Sequence, residues 1–211
     1  MSFLATFSAT PPLLPVVDEV ERIFMVIRSR YLARFRASVE SVRRRTGSVV
    51  VEPIGPAASR RQESKRADFT LLDQSWTTPV AVTSTTIERF APYEFGSQGV
   101  SFLVRPFMFE ACEIALEGTV QSLDLTPLGH WFDAWFDTAN GGQSVDDRRW
   151  EFLGAVHFMS RPQWREHYAH LTIDFGSAPK DSLWGLVDAL ARTGARTIHI
   201  GGVRPDSCQG N

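Results

Sequence analysis

Histidines are concentrated near the C-terminal end of the chain, in a pattern that allows acid–base or metal chemistry. Four of the five histidines fall between positions 157 and 199: His157, His167, His170 and His199. On a strand, His170 and Asp174 would share a face, because alternate side chains project to the same side. Imidazoles with a carboxylate can bind zinc, or can form an acid–base pair in which the carboxylate fixes the imidazole tautomer. One candidate function is therefore a small hydrolase or metal-dependent enzyme that uses His157, His167, His170 and Asp174. It is the alternative to the binding function described below.

The spacing of these histidines is loose enough to arise by chance. The chain lacks the signatures of a phosphate loop, a dinucleotide-binding turn and an HExxH zinc helix. The stretch 142–146 lacks the second glycine of a nucleophile elbow, and 96–99 has the wrong spacing for one. We therefore expect histidines that lie along strand faces and bind nothing. On this interpretation, we expect no catalytic residue, no bound metal and no cofactor.

The segment from Trp131 to Asp137 repeats the pattern Trp-Phe-Asp after four residues. On a helix, residues four apart share a face, so Asp133 and Asp137 lie together. Four large aromatic side chains exceed what one buried face of a short helix requires, and exposed tryptophan beside acid is typical of an interface. We predict a partner-binding surface made of Trp131, Asp133, Trp135, Asp137, Asp146 and Asp147. The alternative is an aromatic core helix whose acidic side chains face solvent.

Charge is unevenly distributed along the chain. Residues 1–66 hold 12 Lys and Arg against 6 Asp and Glu, whereas residues 67–211 hold 10 against 18. The net charge is +6 in the first part and −8 in the second. The arginines of the first part are spread around a long helix instead of forming one stripe, which does not favour a nucleic-acid partner. The acidic second part favours a protein partner with a basic surface.

Composition favours a cytoplasmic protein. The two cysteines, Cys112 and Cys208, have neither CxxC nor zinc-ligand spacing, which favours a reducing compartment. The first 17 residues lack the basic start of a secretory signal. The longest strongly apolar run is far shorter than the roughly 20 residues of a membrane helix, so no membrane partner is expected.

The function predicted is a non-catalytic binding protein of the bacterial immunity type, which neutralises a toxin.

The predicted fold is α+β, a mixed β-sheet with a long N-terminal helix and a C-terminal strand–helix–strand unit. Apolar residues recur every three or four positions over 16–45, which predicts an amphipathic helix, although an alternation from about residue 30 leaves a strand open there. Proline, glycine, serine and charge in 52–68 predict an exposed loop. The predicted organisation is an N-terminal segment 1–51, the loop 52–68 and an α+β region 69–211, all within one domain.

Short apolar runs predict several strands in the middle of the chain. They cover 80–87, 100–104, 107–116, 119–125 and 151–159. A hairpin turn is predicted at Glu117-Gly118, between the third and fourth of these runs. Thr126 and Pro127 are typical of an N-cap and a first helical position, so a short helix is expected to run from there to about residue 138.

The C-terminal third has the clearest pattern. It predicts a strand at 169–175, a helix at 180–193 and a second strand at 196–200. If the two strands share a sheet, they should be parallel and joined by a right-handed crossover. The predicted core residues of the helix are Leu183, Leu186, Val187 and Leu190.

Overall fold

A computed structural model of the chain describes residues 14–46, 49–52, 66–71, 79–83, 87, 89–137 and 152–202. Within these ranges the chain forms three α-helices and ten β-strands. The strands belong to a three-stranded sheet and a seven-stranded mixed sheet, which confirms the predicted α+β class. None of the described helices combines the length and the apolar character that a bilayer crossing requires.

The first helix, α1, spans Leu14–Thr46 and confirms the amphipathic helix predicted over 16–45. Its buried side chains recur at helical spacing, so the alternation from residue 30 does not produce a strand. Three arginines occupy its last turn, where positive charge complements the negative end of the helix dipole. The buried stripe consists of Val20, Ile23, Phe24, Ile27, Tyr31, Leu32, Phe35, Val39 and Val42.

A small antiparallel sheet follows α1 in the chain. In spatial order it consists of β1 (Val49–Val51), β2 (Phe69–Leu71) and β3 (Pro79–Val80). The pairing of β1 with β2 places Glu52 beside Asp68, and the Glu52 N–H donates to the Asp68 carbonyl at 2.8 Å. Glu52, Arg66 and Asp68 are buried, so the predicted exposed loop 52–68 is wrong at its two ends. Residues 53–65 of that loop lie outside the described residues.

The larger sheet positions most of the C-terminal half. Its strands are β4 (Tyr93–Ser97), β5 (Val100–Val104), β6 (Cys112–Glu117), β7 (Phe158–Met159), β8 (Gln163–Arg165), β9 (Tyr168–Asp174) and β10 (Thr197–Ile200). Their order is β4-β5-β10-β6-β9-β7, and β8 also pairs with β9. Every pair is antiparallel except β5 with β10, which makes the sheet mixed.

Several predicted strands differ from those observed. Among the described residues, the run 80–87 contributes Val80 to β3, 107–116 contributes from Cys112 onward, and 151–159 contributes Phe158–Met159. The strand predicted over 119–125 and the hairpin turn at Glu117-Gly118 are wrong. Both edges of β6 are paired, one with β9 and the other with β10, so the segment that follows β6 cannot fold back onto it as a strand.

The sequence pattern does not predict β4 and β8. A tight turn at Gln98-Gly99 joins β4 to β5, and both turn residues have positive φ, as in a type I′ hairpin. β4 contains a glycine and a charged residue, and all three residues of β8 are exposed. Neither strand therefore carries the apolar run from which strands were predicted.

The C-terminal strand–helix–strand unit is confirmed. It consists of β9, helix α3 (Lys180–Ala191) and β10. β9 and β10 both run antiparallel to β6, which lies between them, so they are parallel to each other as predicted. The four side chains predicted as core on α3 are buried, and Leu186 and Leu190 are 0% exposed.

Helix α2 (Thr126–Phe136) confirms the short helix predicted after residue 125. Leu125, not Thr126, is its N-cap, and the Asp124 carboxylate accepts the Thr126 N–H at 2.9 Å. Both α1 and α2 pack against α3, and α1 and α3 also contact β4. Side chains of β9 alternate between buried and partly exposed, so one face of the large sheet carries the core.

Candidate functional site

The strongest concentration of titratable groups in the described residues surrounds His157, which is 0% exposed. Backbone hydrogen bonds fix its position on two sides. The His157 N–H donates to the Asp174 carbonyl at 2.9 Å, and its carbonyl accepts the Arg66 N–H at 2.9 Å. Gly176, with a φ of 53°, passes so close to the imidazole that a Cβ atom there would overlap the ring. The end of β9 and the approach to β2 therefore hold this histidine in place.

Two carboxylates face the two ring nitrogens of His157. Its Nε2 atom lies 2.7 Å from Oε1 of Glu52, at hydrogen-bonding geometry. Its Nδ1 atom lies 2.8 Å from Oδ1 of Asp68, but the approach is not aligned as a hydrogen bond. Glu52 is 0% exposed and Asp68 is 5% exposed. The imidazole thus bridges two buried carboxylates that the small sheet brings together.

Neighbouring donors orient both carboxylates. The Tyr31 hydroxyl, from the buried stripe of α1, donates to Asp68 Oδ1 at 2.7 Å. The Val82 N–H donates to the other Asp68 oxygen, and the Leu153 N–H donates to Glu52 Oε2. A buried polar group without a partner is destabilising, so this saturation of the carboxylate oxygens is what allows the cluster to lie inside the core.

Arg66 links this cluster to helix α2. Its side chain is buried, and its guanidinium donates through Nε to the Phe136 carbonyl at 2.7 Å and through Nη1 to the Glu52 carbonyl at 2.8 Å. The guanidinium carbon also lies 4.9 Å from the centre of the Phe136 ring. Burial lowers the pKa of Arg66, an effect that the charges of Glu52 and Asp137 oppose. The result is a cation placed against the C-terminal end of α2.

The pKa values follow from this packing. Burial by itself lowers the pKa of His157, but the adjacent carboxylates of Asp68 and Glu52 outweigh it and raise the pKa to about 10. Burial raises the pKa of Asp174 to about 6, and the positive charge of His157 opposes this rise. Burial, together with the nearby charges of Asp174 and Asp68, raises the pKa of Tyr31 well above its ordinary value. Without a metal, His157 is therefore an imidazolium at neutral pH.

The structure brings together part of the histidine cluster predicted from sequence. Asp68, His157 and Asp174 each offer a ligand atom, and these atoms all lie within 4.8 Å of one another. His167 is instead exposed in the turn between β8 and β9. His170 and His199 lie on either side of Ala115 in the large sheet, each partly exposed. The group thus keeps two of the four predicted residues and gains Asp68.

Sequence reasoning missed Glu52, Asp68, Arg66 and Tyr31. Glu52 is 105 positions from His157, and the loop assigned to 52–68 placed both carboxylates in solvent. One signal was available in the sequence. Glu52 directly follows the apolar residues 49–51, and Asp68 directly precedes Phe69, so each carboxylate adjoins an apolar segment.

The aromatic residues of α2 mostly belong to the core. Trp131 is 5% exposed, and its indole N–H donates to the Ser182 carbonyl at 2.9 Å. Phe136 is 8% exposed, and Trp135 is partly buried against the same core. Trp131 and Trp135 both lie against Gly185 of α3, where a Cβ atom would be 3.3 Å and 3.4 Å from the two indoles. The missing side chain at position 185 gives the two rings room.

The acidic residues of α2 lie on its other side. Asp133 and Ala134 are exposed, and Asp137 is partly exposed. In the part of the chain that the structure describes, the Asp133 carboxylate forms no ion pair or hydrogen bond. The other two acidic residues of the predicted surface, Asp146 and Asp147, lie outside the described residues.

Comparisons with protein-family models, with curated proteins and with solved structures each found no match to this chain.

Proposed function

We propose that this chain is a non-catalytic binding protein that engages a basic protein partner through the solvent-facing side of α2. The observation that carries the proposal is the position of Asp133. It is exposed at the C-terminal end of the helix, one turn before Asp137 and next to the exposed Ala134 and the partly buried Trp135.

The electrostatics of this position are unfavourable in the free chain. Carboxylates near a helix C-terminus oppose the helix dipole, and like charges four residues apart repel each other. The last turn of α2 holds no basic residue. Arg66 binds the Phe136 carbonyl from the buried side, whereas Asp133 faces solvent. A lysine or arginine of a partner would remove this conflict at Asp133.

The reactive groups of the described residues support a non-catalytic role. Both ring nitrogens of His157 face carboxylates of the chain itself, and the imidazole is fully buried. Cys112 is also fully buried, and burial raises the pKa of its thiol, which keeps it in the unreactive protonated form. A general base or nucleophile needs to reach a substrate, and neither of these groups offers an open approach.

Neutralisation of a toxin, as by bacterial immunity proteins, is the specific form of this proposal. An inhibitor gains from rapid association, and complementary charge raises association rates. The net charge of −8 over residues 67–211 supports a basic target.

The test begins with affinity capture, using the intact tagged protein as bait in cells that carry its gene. Captured proteins are identified by mass spectrometry, and the purified candidate is titrated against wild type, Asp133→Arg and Glu94→Arg. Glu94 is exposed on β4, so it provides the same charge reversal at a different surface. We expect Asp133→Arg to weaken binding of a basic partner at least about tenfold, roughly 1.4 kcal/mol, and Glu94→Arg to leave it unchanged.

Two results would contradict the proposal. One is a captured partner with an acidic binding surface. The other is an equal effect of the two charge reversals, since that would assign the binding to another surface or to net charge alone.

A further inference from the structure

We propose that Asp68, His157 and Asp174 bind one divalent transition-metal ion, zinc or manganese, and that this ion stabilises the fold. This site is independent of the surface proposed for the partner. The three ligand atoms lie within 4.8 Å of one another. In a tetrahedral site, bonds of about 2.0–2.2 Å place the ligand atoms roughly 3.3–3.6 Å apart, so the side chains would have to close around the ion by up to about 1.5 Å.

The Nδ1 atom of His157, which makes no aligned hydrogen bond, is the nitrogen that would bind the ion. This atom is buried and lies 2.8 Å from Asp68 Oδ1. Nε2 lies 2.7 Å from Glu52 Oε1, and a hydrogen bond donated by Nε2–H to this carboxylate would leave the lone pair of the neutral ring on Nδ1. Metal-bound histidines commonly donate their other N–H to a carboxylate in this way. Glu52 would thus be a positioning residue that orients the imidazole toward the ion.

The remaining contacts also hold the ligands in place. Tyr31 and the Val82 N–H fix the Asp68 carboxylate, and the Gly176 N–H donates to Asp174 Oδ1 at 2.9 Å. Partners of this kind restrict ligand rotamers before the ion arrives, which reduces the entropy lost on binding.

The donor set and the accessibility of the site restrict the choice of ion. One imidazole nitrogen and two carboxylates suit zinc or manganese, whereas magnesium and calcium favour oxygen alone. Asp174 keeps part of its surface exposed, while Asp68 and His157 are buried. The ion can therefore enter from the Asp174 side. Once bound, it would join the residue before β2, the segment before β7 and the end of β9.

The test measures metal content and thermal stability of the full chain. Protein is stripped with EDTA, incubated with Zn²⁺ or Mn²⁺, separated from free ion by gel filtration and analysed by mass spectrometry for metals. We expect about one ion per chain and an unfolding midpoint several degrees above that of the stripped protein, because an ion that binds only the folded state stabilises it.

Asp174→Asn is the informative variant, because its amide oxygen can still accept the Gly176 N–H while the ligand charge is lost. Asp181→Asn, at an exposed position on α3, is the matched control. We expect Asp174→Asn to fold and to lose more than about tenfold in metal affinity, and the control to bind as wild type does. His157→Gln should abolish binding, and if it does not fold, Asp174→Asn decides the question.

Two outcomes would overturn the site. The first is wild-type protein with less than about a tenth of an ion per chain and the same unfolding midpoint with and without metal. The second is equal metal retention by Asp174→Asn and Asp181→Asn. In the first case His157 is simply an imidazolium that bridges Glu52 and Asp68.

Discussion

The His157 cluster and the C-terminal end of α2 both carry carboxylates, but in opposite environments. In the cluster, Glu52 and Asp68 are buried and contact the imidazole and several N–H and O–H donors. On α2, Asp133 is exposed and has no such partner among the described residues. The same chemical group is therefore held by other groups of the chain in one place and exposed to solvent in the other.

Solvent is the physical reason for the difference. A buried carboxylate has lost its hydration and depends on its protein partners, so removing one partner leaves an uncompensated charge. An exposed carboxylate stays hydrated, and neighbouring charges change its energy only by tenths of a kcal/mol. Substitutions in the cluster should thus alter stability, and those on α2 should alter binding.

The largest effect is expected for His157→Leu. It leaves Glu52 and Asp68 buried opposite an apolar side chain, so we expect a loss of about 3–5 kcal/mol in the free energy of unfolding. Urea denaturation of metal-stripped protein measures it. His170→Leu is the control, because His170 is partly exposed on β9 and should change stability by far less. Equal losses of stability in the two variants would contradict this account, since burial of the cluster would then not determine the cost of the substitution.

Leu186→Ala measures how much the apolar core contributes to the free energy of unfolding, for comparison with the polar cluster. Leu186 is 0% exposed on α3, so we expect its truncation to lower the free energy of unfolding by about 2–5 kcal/mol. The same urea experiment applies, with Ala134→Gly on the exposed side of α2 as a control for general helix loss. A change below about 0.5 kcal/mol would show that the C-terminal unit is not packed as described.

The smallest effect, opposite in sign, is expected for Asp133→Asn. Removing a negative charge from the C-terminal turn of α2 relieves both the dipole conflict and the repulsion from Asp137, so stability should rise by a few tenths of a kcal/mol. Thermal unfolding at low ionic strength, where screening is weak, is the sensitive measurement. A clear loss of stability would mean that Asp133 is part of the fold, as Glu52 and Asp68 are.

Local patterns account for the parts of the fold that could be predicted from sequence. The periodicity of α1 and the strand–helix–strand order of the C-terminal unit are each written in one continuous segment. The strands that pair with β6 could not be predicted from one local segment, because β9 and β10 lie more than fifty residues further along the chain. The hairpin predicted at Glu117-Gly118 failed for this reason.

The same distinction applies to the candidate functional site: residues within one segment were predicted, and residues brought in by distant contacts were not. His157 and Asp174 were predicted in one cluster because both lie in the histidine-rich segment. Asp68 was missed because its contact with His157 depends on the pairing of β1 with β2, which brings it in from a segment assigned to solvent. On α2, the spacing of Asp133 and Asp137 predicted their shared face, but the burial of Trp131 depends on packing against α3.

The central claim, that the carboxylates of α2 serve a partner while those around His157 serve the fold, is tested most directly by association kinetics. The rate of association between the captured basic partner and the protein would be measured over a range of salt concentrations, for wild type and for Asp133→Asn. We expect the wild-type rate to fall steeply with salt, and the variant to associate more slowly at low salt with a shallower dependence, while its stability is kept. Identical rates at every salt concentration would contradict the claim.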